Sequence, residues 1–180
     1  MEANEVHEMH EHAEHVHENK GLLPVSLSMA ILAVLVALVT MLGHRSHTEE
    51  VLLQGKVTDQ WSYYQAKNTQ NALAEQSLAT LSFIAQGDKG EAAKKKLEAK
   101  VEKYAEKLPE LEKEARALEA ERDLTEKRAT FYDIAETLLE AALVATSITL
   151  LTRQRFYWFS GIALAIVGAA VSVYGLLLHA

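Results

Sequence analysis

The chain has 180 residues, of which 49% are hydrophobic, and its formal net charge is −7. The hydrophobic residues are concentrated in three runs, which argues against a compact water-soluble core and for insertion into a membrane. The acidic balance without a basic patch argues against nucleic-acid binding, and the lack of cysteine excludes disulfides and thiolate metal sites.

The chain starts with a His- and Glu-rich segment, residues 1–20. Its polar and biased composition predicts a disordered, solvated tail that binds metal only adventitiously. A weak site for a divalent cation is the alternative, because imidazole and carboxylate groups are ligands for Zn, Ni or Cu. The histidines concerned are His7, His10, His12, His15 and His17.

Three apolar runs follow, and each is long enough to cross the hydrocarbon core of a bilayer as a helix. The runs 22–42 and 156–178 contain no charged residue at all. The sequence therefore predicts an all-α integral membrane protein with three transmembrane helices and a long extramembrane antiparallel helical (coiled-coil) hairpin between spans one and two. The predicted segments after the tail are span one at 21–43, the hairpin at 44–133, span two at 134–152, a short basic loop at 153–155 and span three at 156–178.

The predicted hairpin turns at Gly-Asp-Lys-Gly, residues 87–90. Its returning arm carries apolar residues at alternating spacings of four and three, which is typical of a helix that packs along a seam. These residues are Leu97, Val101, Tyr104, Leu108, Leu111, Ala115 and Leu118. Pro109 lies within this arm and is expected to kink or locally break it.

The outgoing arm has only a weak apolar stripe, but it contains the aromatic cluster Trp61, Tyr63 and Tyr64. Packing within the hairpin or between subunits is the interpretation we favour for this cluster. A ligand-binding surface is the alternative.

Span two carries three carboxylates, Asp133, Glu136 and Glu140, at spacings that place them on one helical face. Glu140 lies ~12 Å along the helix from Tyr132, so it is expected within the hydrocarbon. A carboxylate there is costly and often functional. It could be protonated or hydrogen-bonded within the bundle, it could line a cation pore together with copies from other subunits, or it could relay protons.

Span three carries small residues at alternating spacings of four and three. They are Gly161, Ala165, Gly168, Ser172 and Gly175. Small residues in this register allow another helix to approach closely, so they predict a packing interface with span one, span two or another subunit.

Two arginines, Arg153 and Arg155, lie in the short loop between spans two and three. The positive-inside rule then places this loop and the N-terminus in the cytoplasm, with the hairpin and the C-terminus outside. Four basic residues flank the spans on the hairpin side and favour the reverse orientation: Arg45, Arg122, Lys127 and Arg128.

Two stretches resemble a known family. One reads WSYYQAKNTQ at 61–70, and the other starts with FYDIAETLLE at 131 and ends with LLTRQRFYW at 158. With the three-span layout they resemble a family of uncharacterised bacterial membrane proteins, domain of unknown function 4337, over about residues 20–178. The resemblance implies a bacterial inner membrane and brings no established activity.

The sequence shows no phosphate-binding glycine loop, nucleophile elbow or zinc-protease motif. We therefore expect a non-enzymatic, homo-oligomeric membrane protein without a cofactor. Its role would be structural or scaffolding, with the hairpin presented as a stalk to a protein partner. The alternative is a cation channel or transporter component whose pore is lined by the acidic face of span two.

Overall fold

Three long helices make up the computed structural model of this protein. It describes residues 3–84 and 87–178, with side chains for 22–84 and 87–178. Helix α1 is Ala3–Ile84, helix α2 is Asp88–Thr152 and helix α3 is Arg155–Leu177, and these described residues include no strand. The chain is therefore all-α, and each of the three helices is long and apolar enough to cross a membrane.

The predicted boundaries between spans and hairpin are not helix boundaries. Helix α1 continues through 43 and 44, and helix α2 continues through 133 and 134. Neither junction contains a proline, and Gly43 is buried, with the place of an added Cβ 3.6 Å from the Cβ atom of Tyr132. The predicted layout of three spans with a hairpin between spans one and two is therefore corrected, because α1 and α2 are two long continuous helices that are adjacent in the chain.

Two local expectations also differ from the structure. The backbone is helical from Ala3, so the segment expected to be disordered lies largely within α1, as its Glu and Ala content permits. Helix α2 runs through Pro109 without a break. Proline costs a helix one hydrogen bond, and the half-buried Leu108 and Leu111 on either side hold this part of α2 in its packing.

Both helix connections depend on a left-handed backbone conformation. Gly87 has a φ of 85°, and its carbonyl accepts hydrogen bonds from the N–H groups of Gly90 and Glu91 at 3.0 and 3.2 Å. Glycine adopts this conformation without a steric penalty. The second connection is only residues 153–154, one residue shorter than predicted, and Arg153 has a φ of 56°.

The chain divides into two units. The three-helix unit comprises residues 1–47 and 127–180, and the two-helix unit comprises residues 48–126. In the three-helix unit, α1 and α2 form a buried core that is partly covered by residues of α3. Its buried members are Leu32, Val39, Tyr132, Ala135, Leu139 and Ala142.

In the two-helix unit α1 and α2 are antiparallel. Gln60 on α1 donates to Glu114 on α2 at 2.8 Å, and ten residues further along α1, Gln70 accepts from the hydroxyl of Tyr104 at 2.7 Å. Positions closer to the C-terminus of α1 therefore pair with positions closer to the N-terminus of α2, as expected for antiparallel helices.

The less exposed positions of both helices in this unit follow the 4-3 spacing. All seven predicted seam residues of the returning arm are buried or half-buried. The outgoing arm has a matching seam, whose positions are Leu53, Val57, Gln60, Tyr64, Lys67, Asn71, Ala74, Leu78 and Leu81. Because polar residues occupy several of these positions, the apolar stripe of this arm looks weak in the sequence.

Candidate functional site

The acidic residues of span two lie in the three-helix unit, and the structure gives each a different environment. Asp133 faces His47 of α1, whose Nε2 atom lies 3.0 Å from Oδ1 and 3.1 Å from Oδ2. A carboxylate only accepts, so the imidazole donates from Nε2. Both side chains are about half exposed, 49% for His47 and 53% for Asp133.

Glu136 turns towards α1. Its Oε1 atom accepts a hydrogen bond of 2.6 Å from the hydroxyl of Thr40, and the residue is half-buried. This contact gives the carboxylate a partner inside the chain, as expected for a polar group between helices.

Glu140 is exposed on the surface of α2. Its carboxylate has no hydrogen bond or ion pair to any other residue whose side chain the structure describes. One turn further along α2 is Val144, which is 59% exposed. Glu140 is thus a carboxylate on an outward face with an apolar neighbour.

The predicted acidic face is therefore divided. Asp133 and Glu140 are exposed, whereas Glu136 is directed between α1 and α2. The interior of the unit is filled by side chains, among them the fully buried Tyr132 and Leu139. Within the described residues, the buried core of this unit contains no acidic side chain.

The small-residue stripe of span three faces α2. Gly161, Gly168 and Gly175 are buried, and Ala165 and Ser172 are half-buried. The sequence left the partner helix open, and the structure places the three glycines against α2.

The approach is close enough that a larger residue would collide. A Cβ atom added to Gly161 would collide with the hydroxyl of Thr146 and lie 2.9 Å from the backbone carbonyl oxygen of Ala142, and one added to Gly168 would lie 3.2 Å from the backbone carbonyl oxygen of Ala135. Backbone contacts of this kind are how membrane helices pack through small residues.

The aromatic cluster lies in the two-helix unit and is divided as well. The rings of Trp61 and Tyr64 meet edge to face at 5.6 Å, and the guanidinium of Arg116 lies 5.9 Å from the Trp61 ring. Glu112 accepts two hydrogen bonds from Arg116, at 3.0 and 2.8 Å, and these contacts raise the pKa of the guanidinium. Arg116 therefore keeps its charge at any physiological pH.

Tyr63 instead lines a surface cleft of about 390 Å³ in the same unit. Four lysines share this cleft, and the ammonium of Lys67 lies 5.3 Å from the Tyr63 ring. The cluster thus contributes two packed rings and one ring on a basic surface.

The five histidines of the N-terminal segment lie outside the residues whose side chains are described. Within the described part of the chain, no group of three metal-ligating side chains comes together.

Sequence reasoning missed the partners of the acidic residues, Thr40 and His47. Both lie on α1, at the end of span one and just beyond it, so the register between α1 and α2 was needed to find them. The antiparallel pairing of two apolar runs suggests the contact in general, but it does not fix the register to one residue.

The comparisons with known proteins give one match. The sequence model of the family described as domain of unknown function (DUF4337) matches residues 22–178. No curated protein and no solved structure matches the chain.

Proposed function

We propose that this chain, which belongs to the family of domain of unknown function 4337, is a three-pass protein of the bacterial inner membrane that assembles with copies of itself. Its role is structural rather than enzymatic: the three-helix unit anchors the chain, and the two-helix unit is available to a protein partner. Spans one and two are the apolar parts of α1 and α2, and span three is α3.

The observation that carries the proposal is the position of Glu140. A carboxylate that faces lipid is costly, and such groups normally face a bundle interior, a partner or water. Glu140 faces outward from the chain's own bundle. A second copy of the chain that covers this face of α2 removes the carboxylate from lipid.

Disulfide cross-linking tests this assembly, because the chain contains no cysteine of its own. Val144→Cys places a thiol beside Glu140, and Val34→Cys places one at a site on α1 that is equally exposed at 60%. In oxidised membranes we expect Val144→Cys to give covalent dimers and Val34→Cys to give few. Equal yields from the two variants would contradict an interface on this face of α2.

A cation channel is the second candidate, and the joint exposure of Asp133 and Glu140 on α2 favours it. In this case several chains would place these carboxylates around a shared axis, where they attract cations. Ion flux into liposomes containing the full chain distinguishes the two functions. A channel predicts flux that Glu140→Gln strongly reduces, whereas a structural role predicts no flux above that of empty liposomes.

A further inference from the structure

A cavity of about 290 Å³ opens in the three-helix unit, where α2 ends and α3 begins. The start of span one supplies an apolar wall that includes Leu22 and Val25. The opposite side is formed by Thr149, Trp158 and the two arginines of the 153–155 segment. None of the described residues that line this cavity is acidic.

The first turn of α3 adds positive potential to the cavity. Arg155 is the first residue of α3, and the N-cap residue Gln154 makes no hydrogen bond from its side chain to the helix end. The first N–H groups of a helix have no partner within the helix and attract anions, so an uncapped start is a favourable place for a phosphate.

Thr149 gives an independent indication that the cavity takes an oxygen-bearing ligand. The residue is only 1% exposed, and its hydroxyl has no hydrogen-bond partner among the residues that the structure describes. By contrast, the neighbouring hydroxyls of Thr146 and Thr152 donate to backbone carbonyls one turn back, at 2.8 and 2.9 Å. A buried hydroxyl without a partner costs free energy, and an acceptor in the cavity would satisfy it.

Trp158 connects two sides of the cavity. Its indole Nε1 donates to the hydroxyl of Ser28 on α1 at 3.0 Å, which joins α3 to α1 beside the cavity. Indole rings are enriched at the level of lipid headgroups, where one edge is apolar and the other polar.

We propose that this cavity binds the phosphate of an anionic phospholipid, with Arg155, the start of α3 and the Thr149 hydroxyl as donors. The apolar wall from span one contacts the acyl chains near the glycerol. The inference rests on the membrane insertion proposed above, because only then does the end of α2 lie at headgroup level. The positive charge of the arginines favours an anionic lipid over a zwitterionic one, because the two share the phosphate group but only the zwitterionic headgroup also carries a cation.

The test uses the full chain purified in a mild detergent, with lipid retention measured by native mass spectrometry. We expect phosphatidylglycerol to be retained and to raise the melting temperature more than phosphatidylcholine does. Arg155→Gln should weaken phosphatidylglycerol binding about tenfold, as for the loss of one charge-assisted hydrogen bond, and Arg155→Lys should recover part of it.

Thr149→Val gives a result that a purely structural role would not produce. Without lipid this variant should be as stable as the wild type or more stable, because it removes an unsatisfied buried hydroxyl. With phosphatidylglycerol it should gain less stability than the wild type. Thr137→Val is the matched control, because the Thr137 hydroxyl donates to a backbone carbonyl away from the cavity.

Three outcomes would overturn the inference. Equal retention of the two lipids, or retention unchanged in both Arg155→Gln and Thr149→Val, would show that the cavity is not a headgroup site. Equal stabilisation by inorganic phosphate alone would show that it takes free phosphate. Alkaline extraction of membranes tests insertion separately: release of the chain would refute the proposed function itself, whereas a retained chain that does not discriminate lipids refutes only this inference.

Discussion

At the scale of single residues, glycine has opposite roles in two parts of this chain. Gly161 lies where α3 meets the backbone of α2, whereas Gly55 lies on an exposed part of α1, where an added Cβ would have only the surrounding backbone of its own helix within 4 Å among the described residues. Replacing glycine by alanine at these two sites therefore distinguishes an effect on helix packing from an effect on helix propensity.

Gly161→Ala should destabilise the three-helix unit by about 1–3 kcal/mol, because the added methyl group meets the hydroxyl of Thr146 and the carbonyl oxygen of Ala142 and forces the helices apart. Gly55→Ala should stabilise α1 by about 0.5–1 kcal/mol, because it only removes the backbone freedom of glycine. Thermal unfolding in detergent, followed by circular dichroism, checks both changes. A stabilised Gly161→Ala would show that α3 does not pack as closely as described.

The glycine interface also shows how far single residues can be predicted. The spacing of Gly161, Gly168 and Gly175 indicates a packed stripe, because small residues repeat at the helical period. The partner helix does not follow from spacing, since any apolar helix could accept the stripe. For the same reason, the contact between Glu136 and Thr40 could not be predicted from the sequence. The energetic cost of a carboxylate at Glu140 could be predicted, because it depends only on the apolar residues around it in the chain.

At the scale of helices, the important feature of the two-helix unit is the polar content of the α1 seam. Asn71 occupies a seam position, and its Oδ1 atom is buried without a hydrogen bond to any described residue, although Nδ2 donates to Glu75 at 2.8 Å. A polar residue at such a position lowers stability and favours one register over others.

Asn71→Leu should therefore raise the stability of the two-helix unit by about 1–2 kcal/mol, since it removes an unsatisfied acceptor and adds apolar contact. Asn68→Leu is the control on the exposed side of α1 and should change stability by less than about 0.5 kcal/mol. Chemical denaturation of the purified protein measures both. Destabilisation by Asn71→Leu would mean that the amide has a necessary partner.

The helices also show why one seam was predicted and the other was not. On α2, apolar residues from Leu97 to Leu118 mark the spacing directly. On α1, Gln60, Lys67 and Asn71 occupy the equivalent positions, and burial by packing overrides what their polarity indicates. The same tertiary support explains why α2 continues through Pro109 without the local break that was one of the two expectations there.

At the scale of the whole molecule, composition was sufficient to predict an all-α chain with three helices apolar enough for a membrane. The boundaries of the helices were harder to predict. A helix that leaves a bilayer continues as long as each residue favours helix, and no residue near 43 or 133 stops it. In the proposed arrangement the environment changes from lipid to water without a change in backbone conformation, so the boundary has no local signal.

The proposed three-pass arrangement also predicts which side of the membrane each helix connection lies on. Because the chain contains no cysteine, Gln154→Cys and Asp88→Cys each introduce a single reporter thiol at a helix connection. The arginines on either side of Gln154 favour the cytoplasm for this connection. Three crossings then place Asp88 on the periplasmic side.

In spheroplasts treated with a membrane-impermeant maleimide, we expect labelling of Asp88→Cys at once and of Gln154→Cys only after the membrane is permeabilised. The opposite pattern would reverse the orientation but keep three crossings, and the cationic cavity beside Arg155 would then face the outer leaflet. Labelling of both thiols in intact spheroplasts would place both connections on one side of the membrane. Span two would then not cross, and the three-pass arrangement would fail.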